Sequence, residues 1–319
     1  MRSPFRPVGH HQVEDRKVID FLKLWSRALR IDQWTKNGVV MLAWFFSVAD
    51  SSQRDIVRGW ESFLMAFAMA ASFSFVSSAF YLLNDVADYE SDRLHPVKRH
   101  RPIAAGLIHR FTAVRVSLVC FALGSFYPAM VVMFSPRRTP AYATIIAYVV
   151  MQCLYTAFLK RVPYLDVVTL AAGFVLRAIA GAAIITAYIS PWLLVCTFTL
   201  SLFLALCKRK CEMENSPETR EVLKHYHPVL LRLLIVAAGA GAGGEYLVYT
   251  LNSQMGARFT WLWVTSVFVF MGIARYAHLA FRGDAAAERP EKLLLSDRWL
   301  WAAIAGYAIA AVLSVAAGM

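Results

Sequence analysis

Residues Tyr81 to Gly106 read YLLNDVADYESDRLHPVKRHRPIAAG, a charged stretch set between two long apolar runs. Its first half holds four carboxylates, Asp85, Asp88, Glu90 and Asp92, and its second half holds Arg93, Lys98, Arg99 and Arg101. If the helix of the preceding apolar run continues through the acids, at about 100° per residue, Asp85, Asp88 and Asp92 share one face. Asn84 then lies at the edge of that face, and Glu90 points elsewhere. Carboxylates gathered on one face repel one another unless a cation sits among them. Oxygen-only ligands favour Mg²⁺, which is commonly held by one or two carboxylates together with substrate phosphates. The basic residues that follow suit those phosphates. A solvated loop between two membrane helices would need charge, but not this acid spacing.

Working outward, the chain has 319 residues, 58% of them hydrophobic and 17% charged. That balance excludes a pair of soluble domains and gives an all-α polytopic membrane protein. The net charge of +12 belongs to loops on one membrane side and calls for no nucleic acid. The five cysteines form no CxxC pair, and they read as reduced and structural. About nine apolar runs are candidate spans: 34–50, 60–84, 111–134, 140–158, 165–187, 191–207, 229–251, 260–281 and 299–318. With the N-terminus inside, the inner segments hold 25 Lys and Arg and the outer segments hold five, among them Arg54, Arg58 and Arg258. This bias places the N-terminus in the cytoplasm and all candidate chemistry on the cytoplasmic side of the plasma membrane. Residues 1–33 form an N-terminal arm, without the apolar core of a signal peptide, and an amphipathic segment. Residues 34–319 form a single transmembrane domain.

Further charges cluster at that side. Lys36, beside Gln33 and Asn37 on one helical face, suits either lipid headgroups or a substrate phosphate. Lys160 and Arg161 close the fourth run, where a topology signal and a phosphate role compete. Asp166 and Arg177, eleven residues apart, return to nearly the same helical face, with Arg177 about 16 Å further along the helix. An arginine at that depth is costly and should face a polar cavity, as a ligand group or in an ion pair with an acid of another helix. Lys208, Arg209 and Glu212 fall within one turn in a basic loop after the sixth run. No histidine stands out as a base; His95 and His100 read as loop residues.

Four segments carry a family resemblance. Asn84-Asp85-x-x-Asp88-x-x-x-Asp92 resembles the NDxxDxxxD motif of the UbiA superfamily of membrane prenyltransferases. The continuation from Arg93 through His95-Pro96, Lys98-Arg99 and Arg101-Pro102-Ile103-Ala104-Ala105-Gly106 resembles its decaprenyl-phosphate phosphoribosyltransferase branch. The run Leu29 to Asn37 is similar to that branch's LRPxQWxKN, departing at Asp32, and Gly173 to Gly181 to its GFxxRxxAG. Tyr155 with Lys160 and Arg161 resembles YxxxKR with one residue added. Most of the superfamily carries a second acidic motif, DxxxD, where this chain has Lys208-Arg209-x-x-Glu212.

The resemblance implies a UbiA-like fold and Mg²⁺ on Asp85, Asp88 and Asp92. It implies 5-phosphoribosyl 1-diphosphate as donor and a polyprenyl phosphate, such as decaprenyl phosphate, as acceptor, for a cell-envelope polysaccharide precursor. Substrate contacts would then fall to Lys36, Asn84, Lys98, Arg99, Arg101, Lys160, Arg161, Asp166, Arg177, Lys208, Arg209 and Glu212, with membrane lipids around the helices. Two other readings stand beside it: prenylation of an aromatic acid from a prenyl diphosphate, and a transporter with Asp166 and Arg177 lining an ion path. The sequence is compatible with a homo-oligomer and fixes neither the oligomeric state nor the acceptor's chain length.

Overall fold

In lipid, every backbone N–H and C=O needs an internal partner, so the long apolar runs fold as helices. The computed structural model describes residues 10–49, 59–290, 293 and 296–317, and all regular elements among them are helical. They are α1 (His10–Ala28), a 3₁₀ stretch (Ile31–Met41), α2 (Leu42–Ala49), α3 (Trp60–Ala87), α4 (Tyr89–Leu94), α5 (Arg110–Phe134) and α6 (Thr139–Ala157). There follow α7 (Leu165–Ile184), α8 (Pro191–Asn215), α9 (Pro228–Asn252), α10 (Gln254–Arg258), α11 (Val264–Phe281) and α12 (Arg298–Ala317). The arm before His10 and the charges Arg54, Arg58 and Lys292 lie outside the described residues.

Eight helices among the described residues are long and apolar enough to cross a membrane: α3, α5 to α9, α11 and α12. Large side chains such as Phe111, Phe134, Leu233 and Val312 point outward and are more than half exposed, as suits a surface that meets lipid. The first expected span, 34–50, is not a single α-helix. It is the 3₁₀ stretch followed by eight residues of α2. Its apolar pattern sets in only at Gly38; the residues before it are tied by side chains instead.

The sixth span was expected to end at 207, yet α8 continues to Asn215. Pairs at i+3 and i+4 balance charge on two sides of the helix, Arg209 and Lys208 with Glu212 on one and Lys210 with Glu214 on the other, and carry the helix on. Lys210 also donates to the Ala280 and Phe281 carbonyls at the end of α11, at 2.9 and 3.4 Å. The expected basic loop is therefore helix.

The chain falls into two compact units, Met1–Asn37 with Ala71–Tyr127, and Gly38–Ala70 with Pro128–Met319. In the first, Ala28 of α1 is buried with Leu82, Ile103, Ile108 and Ala113, and Leu24 and Trp25 pack against this cluster. A row of serines on α3 fixes the 3₁₀ stretch. Trp34 donates to Ser78 at 3.0 Å, Ser78 to the Leu29 carbonyl at 2.7 Å, and Asn37 to Ser74 at 2.8 Å.

In the second unit α7 packs against α6 and α8, α8 against α9, and α11 against α12. Its core includes Val167, Phe203, Leu206, Leu231, Ile235 and Tyr276. Gly181 lets α7 approach the strip at Val40 so closely that a Cβ there would collide with the Val40 carbonyl. On α9, Gly239 and Gly243 accept Phe203 and Phe270, while Glu245 finds its polar partner in the Thr199 hydroxyl at 2.6 Å. Cys120, Cys153, Cys196, Cys207 and Cys211 are all free thiols.

Candidate active site

The acidic stretch is not one continuous helix. α3 ends at Ala87, and Asp88 sits at the joint with φ −89° and ψ 10° before α4 begins. Asp85 and Asp92 nevertheless converge, because i→i−4 hydrogen bonds from Asp88 to Asn84 and from Asp92 to Asp88, both 2.8 Å, carry a near-helical path across the joint and keep residues seven apart on one side. Both are buried, at 3% and 2% exposure. The Arg101 guanidinium sits between them, its Nη1 3.0 Å from Asp85 Oδ1 and 2.7 Å from Asp92 Oδ2. Arg30 Nη2 reaches the same Asp85 oxygen at 2.6 Å. Arg30 itself holds φ 53°, a left-handed conformation that costs a non-glycine residue energy and aims its side chain inward over the Tyr81 ring. Asp88 is half-buried. Glu90 is exposed and has Arg110 at 3.9 Å, so it points away from the convergent pair.

The neighbouring candidates are less gathered. Asn84 is half-buried, and its carbonyl accepts the Asp88 N–H at 2.8 Å. Lys98 and Arg99 lie in a short 3₁₀ turn, Lys98 half-buried and Arg99 exposed. His95 shapes that turn, its Nδ1 accepting the N–H groups of Val97 and Lys98. Lys36 donates to the Gln33 side chain.

Among the described residues no three His, Cys, Asp or Glu side chains stand close enough to hold a metal ion unaided. Asp85 and Asp92 do aim oxygens at one cationic nitrogen. Two carboxylates plus phosphate oxygens are a common way to hold Mg²⁺, so the donor set fits that ion if phosphate arrives with it and Arg101 turns aside.

The second unit holds a separate charged cluster. Asp166, fully buried in the first turn of α7, accepts from Arg209 Nε at 2.7 Å on Oδ2 and from the Tyr226 hydroxyl on Oδ1. Arg209 Nη1 donates to Glu212 Oε2 at 2.5 Å. Lys208 and Arg220 flank Glu212 more loosely, at 3.8 and 3.4 Å, and Arg220 also reaches the Tyr155 hydroxyl at 3.5 Å. The Tyr164 N–H donates to the Tyr226 hydroxyl at 3.1 Å from a backbone held at φ 65°. Burial, then the hydrogen bond to Asp166, pushes the Tyr226 hydroxyl well above its usual pKa. Arg209 Nη2 is buried without a hydrogen-bond acceptor among the described residues.

Arg177 does not join this cluster. Its guanidinium donates to the Gly173 carbonyl at 2.9 Å and the Tyr148 hydroxyl at 2.8 Å, and it lies over the Tyr148 and Phe174 rings. Asp166 thus works toward α8 and Arg177 toward α6. In the turn Leu159–Arg161, Lys160 is half-buried and Arg161 exposed. Sequence reasoning assigned no role to Arg30, Tyr148, Tyr164, Arg220 or Tyr226. Arg30 stood inside a quoted motif and Tyr164 two residues before Asp166, whereas the other three carried no local signal.

The model of the UbiA prenyltransferase family matches residues 39–297. The chain belongs to this family. Among its relatives, the decaprenyl-phosphate phosphoribosyltransferase of Corynebacterium glutamicum is 32% identical over 285 residues, 86% of this chain and 81% of that protein. The protein of the same name from Mycobacterium tuberculosis is 31% identical over 294 residues, 89% of this chain and 93% of its own. The nodulation protein NoeC of Azorhizobium caulinodans is 25% identical, covering 92% of both chains. Among solved structures, the fold matches a UbiA homolog from Archaeoglobus fulgidus bound to GPP and Mg²⁺, with a TM-score of 0.64 at 17% identity over 92% of this chain and 98% of that one. As a UbiA-family chain with eight candidate spans, it is an integral membrane protein.

Proposed function

We propose that this UbiA-family protein is a membrane-bound phosphoribosyltransferase, moving 5-phosphoribosyl from 5-phosphoribosyl 1-diphosphate to a polyprenyl phosphate and releasing diphosphate. The named relatives support the reaction class. The observation that carries the choice of donor is Glu212, ringed by Arg209, Lys208 and Arg220 at 2.5, 3.8 and 3.4 Å. This is where the family resemblance places a second acidic motif for a prenyl diphosphate. A carboxylate already matched by three cations is a poor ligand for another metal ion, and its surroundings attract phosphate.

In the reaction the ionised lipid phosphate attacks C1 of the ribosyl group. A new C1–O bond forms, the C1–O bond to diphosphate breaks, and its electron pair leaves with the diphosphate. No proton must move, so no catalytic histidine is needed. Asp85 and Asp92, with Asp88 at the joint between them, would hold Mg²⁺, which when bound supplies charge neutralisation of the leaving diphosphate. Arg30 and Arg101 hold the carboxylates in position. They can turn to phosphate oxygens, Arg101 from a side chain 31% exposed. In the first unit Lys98, Arg99 and Lys36 would add phosphate or headgroup contacts; in the second Lys160 and Arg161 would do the same, and the buried Arg209 Nη2 is a donor without an acceptor among the described residues. We place the protein in the plasma membrane with its N-terminal arm and charged clusters on the cytoplasmic side, where the lysine and arginine bias puts them.

Membranes containing the protein, supplied with 5-phosphoribosyl 1-diphosphate, decaprenyl phosphate and Mg²⁺, should form a phosphoribosyl lipid, and chelation should stop it. Inactivity with this pair, together with prenylation of an aromatic acid from a prenyl diphosphate, would overturn the proposal.

A further inference from the structure

We propose that α1 is an interfacial helix, its exposed apolar stripe seated on a bilayer surface of anionic phospholipid. The stripe continues a packed face. At about 100° per residue, Val18, Phe21, Leu22, Leu24, Trp25 and Ala28 fall on one side of α1, with Asp20, Lys23 and Arg27 opposite. The C-terminal half of the apolar side is occupied. Ala28 is buried, and Leu24 and Trp25 pack with it on a cluster that includes Leu82 of α3 and Ala113 of α5. The N-terminal half is open. Val18, Phe21 and Leu22 are 57%, 59% and 60% exposed, and they reach about 10 Å past Trp25 along the helix.

The spans say what lies beneath this overhang. α3 stops at Ala87 and α5 starts at Arg110, and both are long and apolar enough to cross a membrane, so these ends mark one face of the bilayer. A stripe that rests on those ends and runs on past them meets lipid next. Its C-terminal end is also pinned at that level, where Arg27 Nη2 donates to the His100 carbonyl at 3.3 Å. The side chains suit the place. The Phe21 and Trp25 rings lie 6.3 Å apart, and Trp gathers at the membrane–water interface. Lys23 and Arg27 are exposed on the polar side. Residues 1–30 hold seven Lys or Arg against three Asp or Glu. Such an excess beside a membrane favours anionic headgroups, and an apolar face with a basic polar side is the pattern of a helix that lies in the interface.

The test uses the full purified chain in nanodiscs, with the exposed Cys153 replaced by Ser. One fluorophore is attached through Val18→Cys or Leu22→Cys on the apolar side, or through Asp20→Cys or Lys23→Cys on the polar side. Acrylamide reports access from water, and brominated acyl chains report contact with lipid. In phosphatidylglycerol, labels at 18 and 22 should be quenched by brominated lipid and should resist acrylamide at least ~5-fold better than labels at 20 and 23. In phosphatidylcholine that contrast should shrink by at least ~2-fold. Equal acrylamide access at all four positions overturns the proposal. So does a label at 18 or 22 that neither acrylamide nor brominated lipid quenches, because protein, such as a second copy of the chain, then covers the stripe. An undiminished contrast in phosphatidylcholine overturns the choice of anionic lipid. Two positions on each side keep the comparison decisive if one variant does not fold.

Discussion

Arg209 and Asp166, 43 residues apart in sequence, are joined by a 2.7 Å ion pair in which neither side chain is more than 1% exposed. A buried pair of this kind contributes little net stability compared with an apolar replacement, yet removing one partner strands the other charge. Asp166→Asn should therefore lower stability by about 3–5 kcal/mol. Tyr226→Phe removes a single hydrogen bond and should cost about 1 kcal/mol. Thermal unfolding of both variants in one detergent checks the ranking. Equal melting temperatures would mean that the pair does not hold α7 to α8.

Asp92→Asn should abolish transfer while the protein stays folded. It removes half of the pair that converges on Arg101 and should weaken Mg²⁺ binding by at least ~10-fold, since changes even one shell further out cost that much. Glu90→Gln, on an exposed side chain facing Arg110, should leave both nearly unchanged. Mg²⁺ binding measured by calorimetry in the presence of diphosphate, with transfer assayed alongside, separates the two variants, and equal damage would discount the convergence of Asp85 and Asp92.

Arg177→Lys should unfold earlier than wild type. A lysine cannot reach the Gly173 carbonyl and the Tyr148 hydroxyl together or lie flat on two rings, so a loss of about 1–3 kcal/mol is expected. Tyr148→Phe keeps the ring face and should lose only about 1 kcal/mol. Donor kinetics are measured alongside. A raised donor KM at an unchanged melting temperature would make Arg177 a ligand group rather than a structural one.

Asp297 caps α12, accepting the N–H groups of Trp299 and Leu300 at 3.0 and 2.9 Å, and pairs with Arg275 at 2.7 Å. The Arg275 hydrogen bond is the main reason its carboxyl lies below the usual range. A depressed folded pKa stabilises above the unfolded value, near 3.9, and that contribution is lost as pH falls through the folded value. Asp297→Ala should cost about 1 kcal/mol at neutral pH through the lost cap. Its melting temperature should then fall less than that of wild type on acidification below about pH 4.

Fold class and the first acidic cluster were legible because each rests on local pattern. A run of apolar residues dictates a helix wherever lipid excludes water, and the acid spacing pulled Asp85 and Asp92 together even though the helix breaks at Asp88. What escaped depends on the path of the chain. Arg220 and Tyr226 reach Glu212 and Asp166 only because the segment after α8 folds back over α7, and nothing in their own neighbourhood announces it. Tyr148 needed knowledge that α6 packs beside α7. The basic run from Lys208 looked like solvated loop because charge was read without its partners; Glu212 and Glu214 make it helix.

Arg209, Lys208 and Arg220 set three positive charges against the two carboxylates of Asp166 and Glu212. The surplus belongs to the cluster as a whole, and the looser pairs, to Lys208 and Arg220, are also its most solvent-exposed members, at 32% and 37%. Such an arrangement behaves as a small anion exchanger. Chloride or sulfate should occupy it and compete with a phosphorylated substrate, raising its KM with ionic strength while kcat holds, and the effect should weaken in Arg220→Gln. The affinity of this membrane enzyme for its donor would then follow the salt of its surroundings.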